Sequence, residues 1–237
     1  MIEIKNLTKK FNSFTALKGV NLNFQNGQSV ALIGPNGCGK TTMIKCILGL
    51  NVVQDGDVLV DSKSVKEDYR YRESIGYMPQ IGRYPENMTI GETIQMIKDI
   101  RRTPDAELDT ELLEAFDLPK IYDKKMRTLS GGTTQKVSAV LAFLFNPAVI
   151  ILDEPTAGLD PLATEVLKRK IIQEKNKGKL IIITSHLLSE LDDIITEIVF
   201  MNEGQVVVHQ SVEDLKAQTN TQKISEGIIS ILKQMKK

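Results

Sequence analysis

The sequence predicts an α/β fold carrying a helical lobe, and three patterns predict it. Ser29–Ile33 is a short apolar run that stops at Gly34 and gives way, after a glycine-rich segment, to helical spacing from Lys40 onward. Val149–Leu152 and Leu180–Ile183 are β-rich apolar runs of the kind buried on both faces in parallel sheets. Residues 87–125, between the first run and the later two, show helical spacing with no strand.

Taken in order, Ile2 and Ile4 alternate with Glu3 and Lys5, and Val20, Leu22 and Phe24 alternate again, so residues 1–33 read as strands. Met43, Ile44, Ile47 and Leu48 line one face of a helix over 40–50. Asp55-Gly56 turns into a strand through Val58 and Val60, and Ser74–Met78 is another, broken at Pro79. Ile90, Ile94, Ile97 and Ile100 predict one helix; after Thr103-Pro104, Leu108, Leu112, Leu113 and Phe116 predict a second. A further helix is expected over 134–145. Past Gln205, Val206–Val208 forms a short strand leading to a polar helix and an amphipathic tail with Ile224, Ile228, Ile231 and Leu232. The expected layout is one domain over 1–237: a core over 1–80 and 126–220, a helical lobe over 81–125, and a carboxyl-terminal segment over 221–237. For that segment, packing against the core is preferred to a partner-binding tail.

Composition narrows the function classes. The 237 residues carry 30 Lys plus Arg against 30 Asp plus Glu, so no net basic field exists to grip nucleic acid independently of sequence. Two cysteines, Cys38 and Cys46, suit a reducing, cytosolic setting better than a disulfide framework. The longest apolar stretches, such as Ala139–Phe145, fall far short of the roughly 20 residues of a spanning helix, and the amino terminus lacks the apolar region of a secretory signal.

Gly34-Pro-Asn-Gly-Cys-Gly39-Lys40-Thr41 satisfies G-x-x-x-x-G-K-[ST], the phosphate-binding P-loop. Glycines let backbone amides turn toward a phosphate, the helix that follows adds its positive end, and the Lys40 ammonium reaches the terminal phosphates. The expected nucleotide cradle is Gly34, Asn36, Gly37, Cys38, Gly39, Lys40, Thr41 and Thr42, with the Thr41 hydroxyl on magnesium. A plain glycine turn between strand and helix is the competing reading, disfavoured because the strand and helix are both where the motif needs them. Cys38 is most simply a small filler; a thiol switch that blocks phosphate entry is the weaker reading.

Asp153 and Glu154 follow the run Val149–Leu152, and so lie at the carboxyl end of a buried strand, the edge where open parallel sheets bind ligands. Asp153 is expected to hold magnesium and Glu154 to orient and deprotonate the attacking water. Thr184-Ser185-His186 ends the next apolar run, where a histidine can donate to a γ-phosphate. His209 has no partner motif and reads as structural.

Leu129-Ser130-Gly131-Gly132, opening a helix, makes the chain resemble the nucleotide-binding subunit of ATP-binding cassette (ABC) transporters over nearly its whole length. The resemblance implies a P-loop NTPase, RecA-like core with an antiparallel β subdomain and an inserted α-helical subdomain. It implies that Ser130, Gly131 and Gly132 bind the γ-phosphate of ATP held by another protomer, in physical terms a second helix-terminus anion site. Phe11 matches the aromatic that stacks on adenine, although Asn12 stands where glycine is common; Phe14 is a substitute, and a core phenylalanine is the plain alternative. Gln80, after Tyr77-Met78-Pro79, resembles the Q-loop glutamine that touches magnesium and water. Ala157-Gly158-Leu159-Asp160 resembles the D-loop, and His186 the switch histidine. One departure is Thr133, which stands where glutamine is usual.

The resemblance further implies a head-to-tail homodimer that closes on ATP and Mg2+ and reopens on hydrolysis. It implies a separate transmembrane permease subunit docked on residues 81–125, with the chain itself peripheral on the cytoplasmic face of the membrane, spanning nothing and binding no nucleic acid. The single-domain layout resembles ATPases paired with ABC-2-type permeases, often exporters, and Ile81-Gly-Arg-Tyr-Pro85 with the SGGTTQK variant resembles the Nos-type ATPases of nitrous oxide reductase maturation. Two other classes compete: a soluble ABC-type ATPase acting on ribosomes or DNA, which usually carries two cassettes or long coiled coils, and a P-loop kinase, which needs neither Ser-Gly-Gly nor D-loop.

Overall fold

The computed structural model describes residues 1–185 and 192–234. Strands β1 (Ile2–Phe11) and β2 (Phe14–Phe24) form a hairpin closed by Asn12-Ser13, with Phe11 opposite Phe14 and Asn12 at a φ of 52°, a left-handed conformation asparagine tolerates. β4 (Asp55–Val60) pairs antiparallel with β1, and β5 (Lys63–Ser64) with β4, completing a four-stranded sheet in the order β2-β1-β4-β5.

The second sheet has six strands in the order β10-β9-β3-β8-β7-β6. β3 (Ser29–Ile33), β6 (Ile75–Met78), β7 (Val149–Asp153), β8 (Leu180–Thr184) and β9 (Glu197–Asn202) run parallel, and β10 (Gln205–Ser211) closes one edge antiparallel. β3, β7 and β8 are buried at every position, as their unbroken apolar runs require. Pairing of Leu32 with Thr184, Asp153 with Thr184, and Met78 with Leu152 aligns the carboxyl ends of β3, β8, β7 and β6. The segments beginning at Gly34, Pro79, Glu154 and Ser185 therefore emerge at one sheet edge.

The helices are α1 (Lys40–Ile47), α2 (Ile90–Arg101), α3 (Glu111–Ala115), α4 (Gly131–Phe143), α5 (Pro161–Asn176), α6 (Val212–Thr219) and α7 (Ile224–Gln234). α2 opens on a capping box between Thr89 and Glu92. α4 is capped by the Ser130 hydroxyl and α5 by the Asp160 carboxylate, with Pro161 in the first turn. One face of the parallel sheet buries α1 and the antiparallel sheet; the other buries α2 to α7 in a continuous apolar cluster that includes Ile224, Ile228 and Ile231 of the tail. The helices of the 81–125 segment share that cluster with α4 and α5.

Three elements differ from the sequence expectation. The helix expected through Leu108–Phe116 shrinks to the five residues of α3, because Asp109 N donates to Leu144 O at 2.8 Å and pins the chain before the helix starts. Leu108 reaches the core from an extended segment. α5 and β9 are additional to the sequence expectation; for α5 the signal is present, since Asp160-Pro161 followed by Ala163, Leu167 and Ile171, all buried, is a capped amphipathic pattern.

Candidate nucleotide site

Gly34 and Gly39 set the shape of the loop between β3 and α1. Both have positive φ, 145° and 111°. A Cβ on Gly34 would sit 2.1 Å from Met201 O, and one on Gly39 would sit 2.9 Å from Ala16 O, so the backbone comes closer to β9 and β2 than any side chain permits. The Lys40 side chain folds back over the loop and donates to Gly34 O at 2.8 Å and Pro35 O at 3.2 Å, with Cys38 Sγ 3.9 Å away. The ammonium is buried, and no carboxylate pairs with it among the described residues.

Beside it opens a cavity of about 490 Å³ lined by Phe11, Phe14, Ala16, Asn36, Gly37, Gly39, Lys40, Thr41, Thr42, Gln80 and Glu154. Nine of the residues expected from sequence are thus brought together. Phe11 is 44% and Phe14 61% exposed, which rules out the core reading of Phe11 and places both rings at the mouth; Lys9 Nζ lies 4.9 Å from the Phe11 centroid. Cys38 is not brought to the cavity. Its thiol is buried, and its amide donates to Pro35 O at 3.2 Å instead of facing a ligand. That burial also removes the exposure a thiol switch needs. Gly34 likewise shapes the loop from behind.

The opposite wall is built by the carboxyl ends of β7 and β8. Asp153 is 3% exposed; its Oδ1 accepts from Thr184 Oγ1 at 2.5 Å and its Oδ2 from Thr41 Oγ1 at 3.3 Å. Glu154 leaves the strand at a φ of 53°, a strained value for a residue with a Cβ, held there by Thr184, whose Oγ1 accepts from Glu154 N at 2.9 Å. Gln80 Nε2 donates to Glu154 Oε2 at 3.0 Å. Gln80 therefore stands beside the carboxylate proposed as base, while Thr41 and Asp153 stand together. Burial, then the charge of Asp153, pushes the Tyr77 phenol up to about 12, so it stays neutral behind this wall. Thr184 is the residue that sequence reasoning passed over; its place at the end of an apolar run aligned with Asp153 was the available signal.

Thr41 and Asp153 offer hard oxygen donors of the kind magnesium takes together with phosphate and water. Among the described residues no group of three or more His, Cys, Asp or Glu could hold a metal by itself, so such an ion fits here only with further oxygens from a ligand.

Ser130, Gly131, Gly132 and Asp160 lie outside this cavity. Ser130 Oγ accepts from Thr133 N at 3.2 Å and lies 2.9 Å from Thr133 Oγ1, so the residue that departs from the usual glutamine braces the cap. A Cβ on Gly132 would sit 2.7 Å from Gly158 O, and Lys136 Nζ bonds Asp160 Oδ2 at 2.7 Å, which packs the 157–160 segment against α4 of its own chain. That Lys136 bond, with the Ala163 amide, holds the Asp160 carboxyl below its usual range. His186 lies outside the described residues. His209 packs its ring against Phe24 and sits 3.9 Å from Glu197, in keeping with a structural role. No helix among the described residues is long and apolar enough to cross a membrane.

Comparison with known proteins agrees with this geometry. The family described as ABC transporter matches residues 17–157. The chain is 32% identical over 220 residues to the uncharacterized ABC transporter ATP-binding protein YhaQ of Bacillus subtilis, covering 91% of this chain and 73% of that one. It is 29% identical over 234 residues to the lipopolysaccharide export system ATP-binding protein LptB of Haemophilus influenzae, covering 96% and 97%. Among solved structures, the ATP-binding subunit of an ABC transporter superposes with a TM-score of 0.90 at 28% identity, over 98% of this chain and 99% of that one. The dimeric post-hydrolysis state of the ATP-binding cassette MJ0796, bound to ADP and Pi, superposes with a TM-score of 0.78 at 26% identity, over 90% and 99%. With a P-loop, paired acids and a capped Ser-Gly-Gly helix on an α/β core matching these folds, the chain belongs to the ABC transporter family, as an ATP-binding ATPase cassette.

Proposed function

We propose that this chain closes head-to-tail on a second copy around two ATP molecules and that the closing and reopening drive a separate transmembrane permease. The observation that carries the reading is the separation of the two anion sites: the Lys40 cavity is lined by Thr41, Gln80 and Glu154 of the same chain, while the capped end of α4 at Ser130 lies outside it, where a second chain's nucleotide would give it a partner. The dimeric cassette that superposes on this fold supports it.

Within each site, Phe11 and Phe14 offer faces for an adenine ring, and the amides of the 34–39 loop with Lys40 take the phosphates. Thr41 and Asp153 would hold Mg2+, which when bound offsets phosphate charge. Glu154, fixed by Thr184 and Gln80, accepts the proton of the attacking water. Product release removes the γ-phosphate contacts that favour the closed dimer. In the cell this places the chain on the cytoplasmic face of a membrane, bound to its permease through the 81–125 segment. Export or a cofactor-maturation role is the finer reading, supported by the Ile81–Pro85 and Ser130–Lys136 sequences and by the likeness to an export-system protein.

Glu154→Gln tests this. The variant is expected to bind ATP, to run as a dimer in light scattering only with ATP, and to lose at least about 100-fold in turnover. In its native cell it should carry a multi-span membrane protein through gentle solubilisation. An ATP-loaded variant that stays monomeric, or recovery of ribosomes or DNA-bound proteins with no membrane partner, overturns the proposal.

A further inference from the structure

The segment that follows β6 is attached at both ends. At its start Gln80 donates to Glu154 at 3.0 Å. Four residues on, the Tyr84 hydroxyl lies 2.9 Å from Ser138 Oγ, and Ser138 Oγ donates in turn to Thr134 O at 3.1 Å. Because the Ser138 proton is committed to Thr134 O, Ser138 Oγ accepts and Tyr84 donates. Thr134 then continues the chain, its Oγ1 donating to Ser130 O at 3.2 Å and its amide to the same oxygen at 3.0 Å. A directed ladder thus runs from Tyr84 along one face of α4 to the residue that caps it.

The contact is built tightly. Ser138 is fully buried, and the Tyr84 ring packs on the main apolar cluster. Between the two attachments, a Cβ on Gly82 would sit 2.2 Å from Ser138 Oγ and 2.8 Å from Tyr84 Cε2, so only glycine lets the segment lie this close to the helix. Burial raises the Tyr84 phenol, opposed by its bond to Ser138, and the hydroxyl remains a neutral donor.

We infer that Tyr84 is a positioning residue: through Ser138 and Thr134 it fixes the segment carrying Gln80 to the helix carrying Ser130. The consequence is mechanical. The contact to the hydrolytic carboxylate and the anion site offered to a second chain cannot shift independently, because the ladder between them must break for either to move alone. The roles of Glu154 and Ser130 in this statement rest on the proposed dimer; the link itself does not.

The full-length chain with Tyr84→Phe, which keeps the ring and removes the hydroxyl, tests it alongside Ser138→Ala and the double variant. In the nucleotide-free protein, hydrogen–deuterium exchange is expected to rise about fivefold in both 80–86 and the first half of α4 in either single variant, with no further rise in the double. With ATP, kcat is expected to fall about fivefold with KM and nucleotide affinity unchanged. A merely structural role would instead lower the melting temperature and weaken ATP binding together. Exchange that rises only in 80–86, or additive losses in the double variant, overturns the inference. If the exchange pattern appears but the parent chain never dimerises on ATP, the dimer reading fails and the link stands.

Discussion

Lys40 and Lys170 are both buried, and their surroundings differ in the one respect that decides what each is for. Lys170, on α5, has Asp109 Oδ2 at 2.5 Å, Glu111 Oε2 at 2.8 Å and Glu174 Oε1 at 3.1 Å. Burial alone would favour the neutral amine, but those three carboxylates outweigh it and hold its pKa above the ordinary lysine value. Among the described residues Lys40 has two carbonyl oxygens and the Cys38 sulfur of its own loop, and an open cavity beside it. A buried charge with its counterions inside the fold is a finished structural unit; one without them is half of an interaction whose other half is a ligand. The same difference shows in what each joins: Lys170 ties Asp109 and the start of α3 to α5, whereas Lys40, among the described residues, ties nothing beyond the loop it belongs to.

Removing the two charges should therefore have opposite signatures. Lys40→Ala is expected to lower kcat/KM by roughly 100- to 1,000-fold, about 3 to 4 kcal/mol of transition-state stabilisation, with stability within about 1 kcal/mol of the parent. Steady-state ATPase kinetics and a thermal melt check both halves. A variant that keeps its turnover, or that unfolds readily, would make Lys40 another structural lysine and dissolve the contrast.

Lys170→Met comes next in size and inverts the result. It leaves Asp109 and Glu111 without their cation, and such breakage of a buried pair costs about 3 kcal/mol, or roughly 10 °C in melting temperature for a domain of this size. Turnover per folded molecule should stay near the parent value, since no residue of the cavity touches the cluster. A normal melting temperature for this variant would show that the ion cluster contributes no net stability.

The two lysines also mark how far the sequence could be read. Lys40 was legible because its chemistry is local: strand, glycines, lysine and helix follow one another, and Gln80 and Glu154 of the cavity, with Asp153 behind them, each follow an apolar run. The Lys170 cluster was not, because Lys170 and Glu174 sit on α5, which the sequence pattern did not mark, Asp109 sits in an extended stretch before α3 and Glu111 at its start, and a buried lysine looks in sequence like any solvated one on a helix. Pairing across elements escaped reading even inside the site. Thr184 was visible at its strand end, but only the register of β7 against β8 shows that it holds both Asp153 and Glu154.

The smallest expected effect sharpens the comparison by titration. Glu174 is almost fully buried, which by itself would raise its pKa, but hydrogen bonds from Lys177, Lys179 and Lys170 pull it down to about 2 from an ordinary 4.5. Between those values the unfolded chain binds a proton at this site and the folded chain does not. The stability Glu174 contributes is thus complete above about pH 4.5 and disappears as pH falls through about 2. Chemical unfolding of the parent and of Glu174→Gln across pH 6 to about 2 should show the variant less stable at the upper end and the two curves converging toward the lower. Protonation silences one carboxylate of the cluster and leaves Asp109 and Glu111 on Lys170, which is why this loss should be smaller than that of Lys170→Met. Parallel curves across the whole range would mean that Glu174 titrates alike in both states, and the cluster would then no longer count as a set of charges that complete one another.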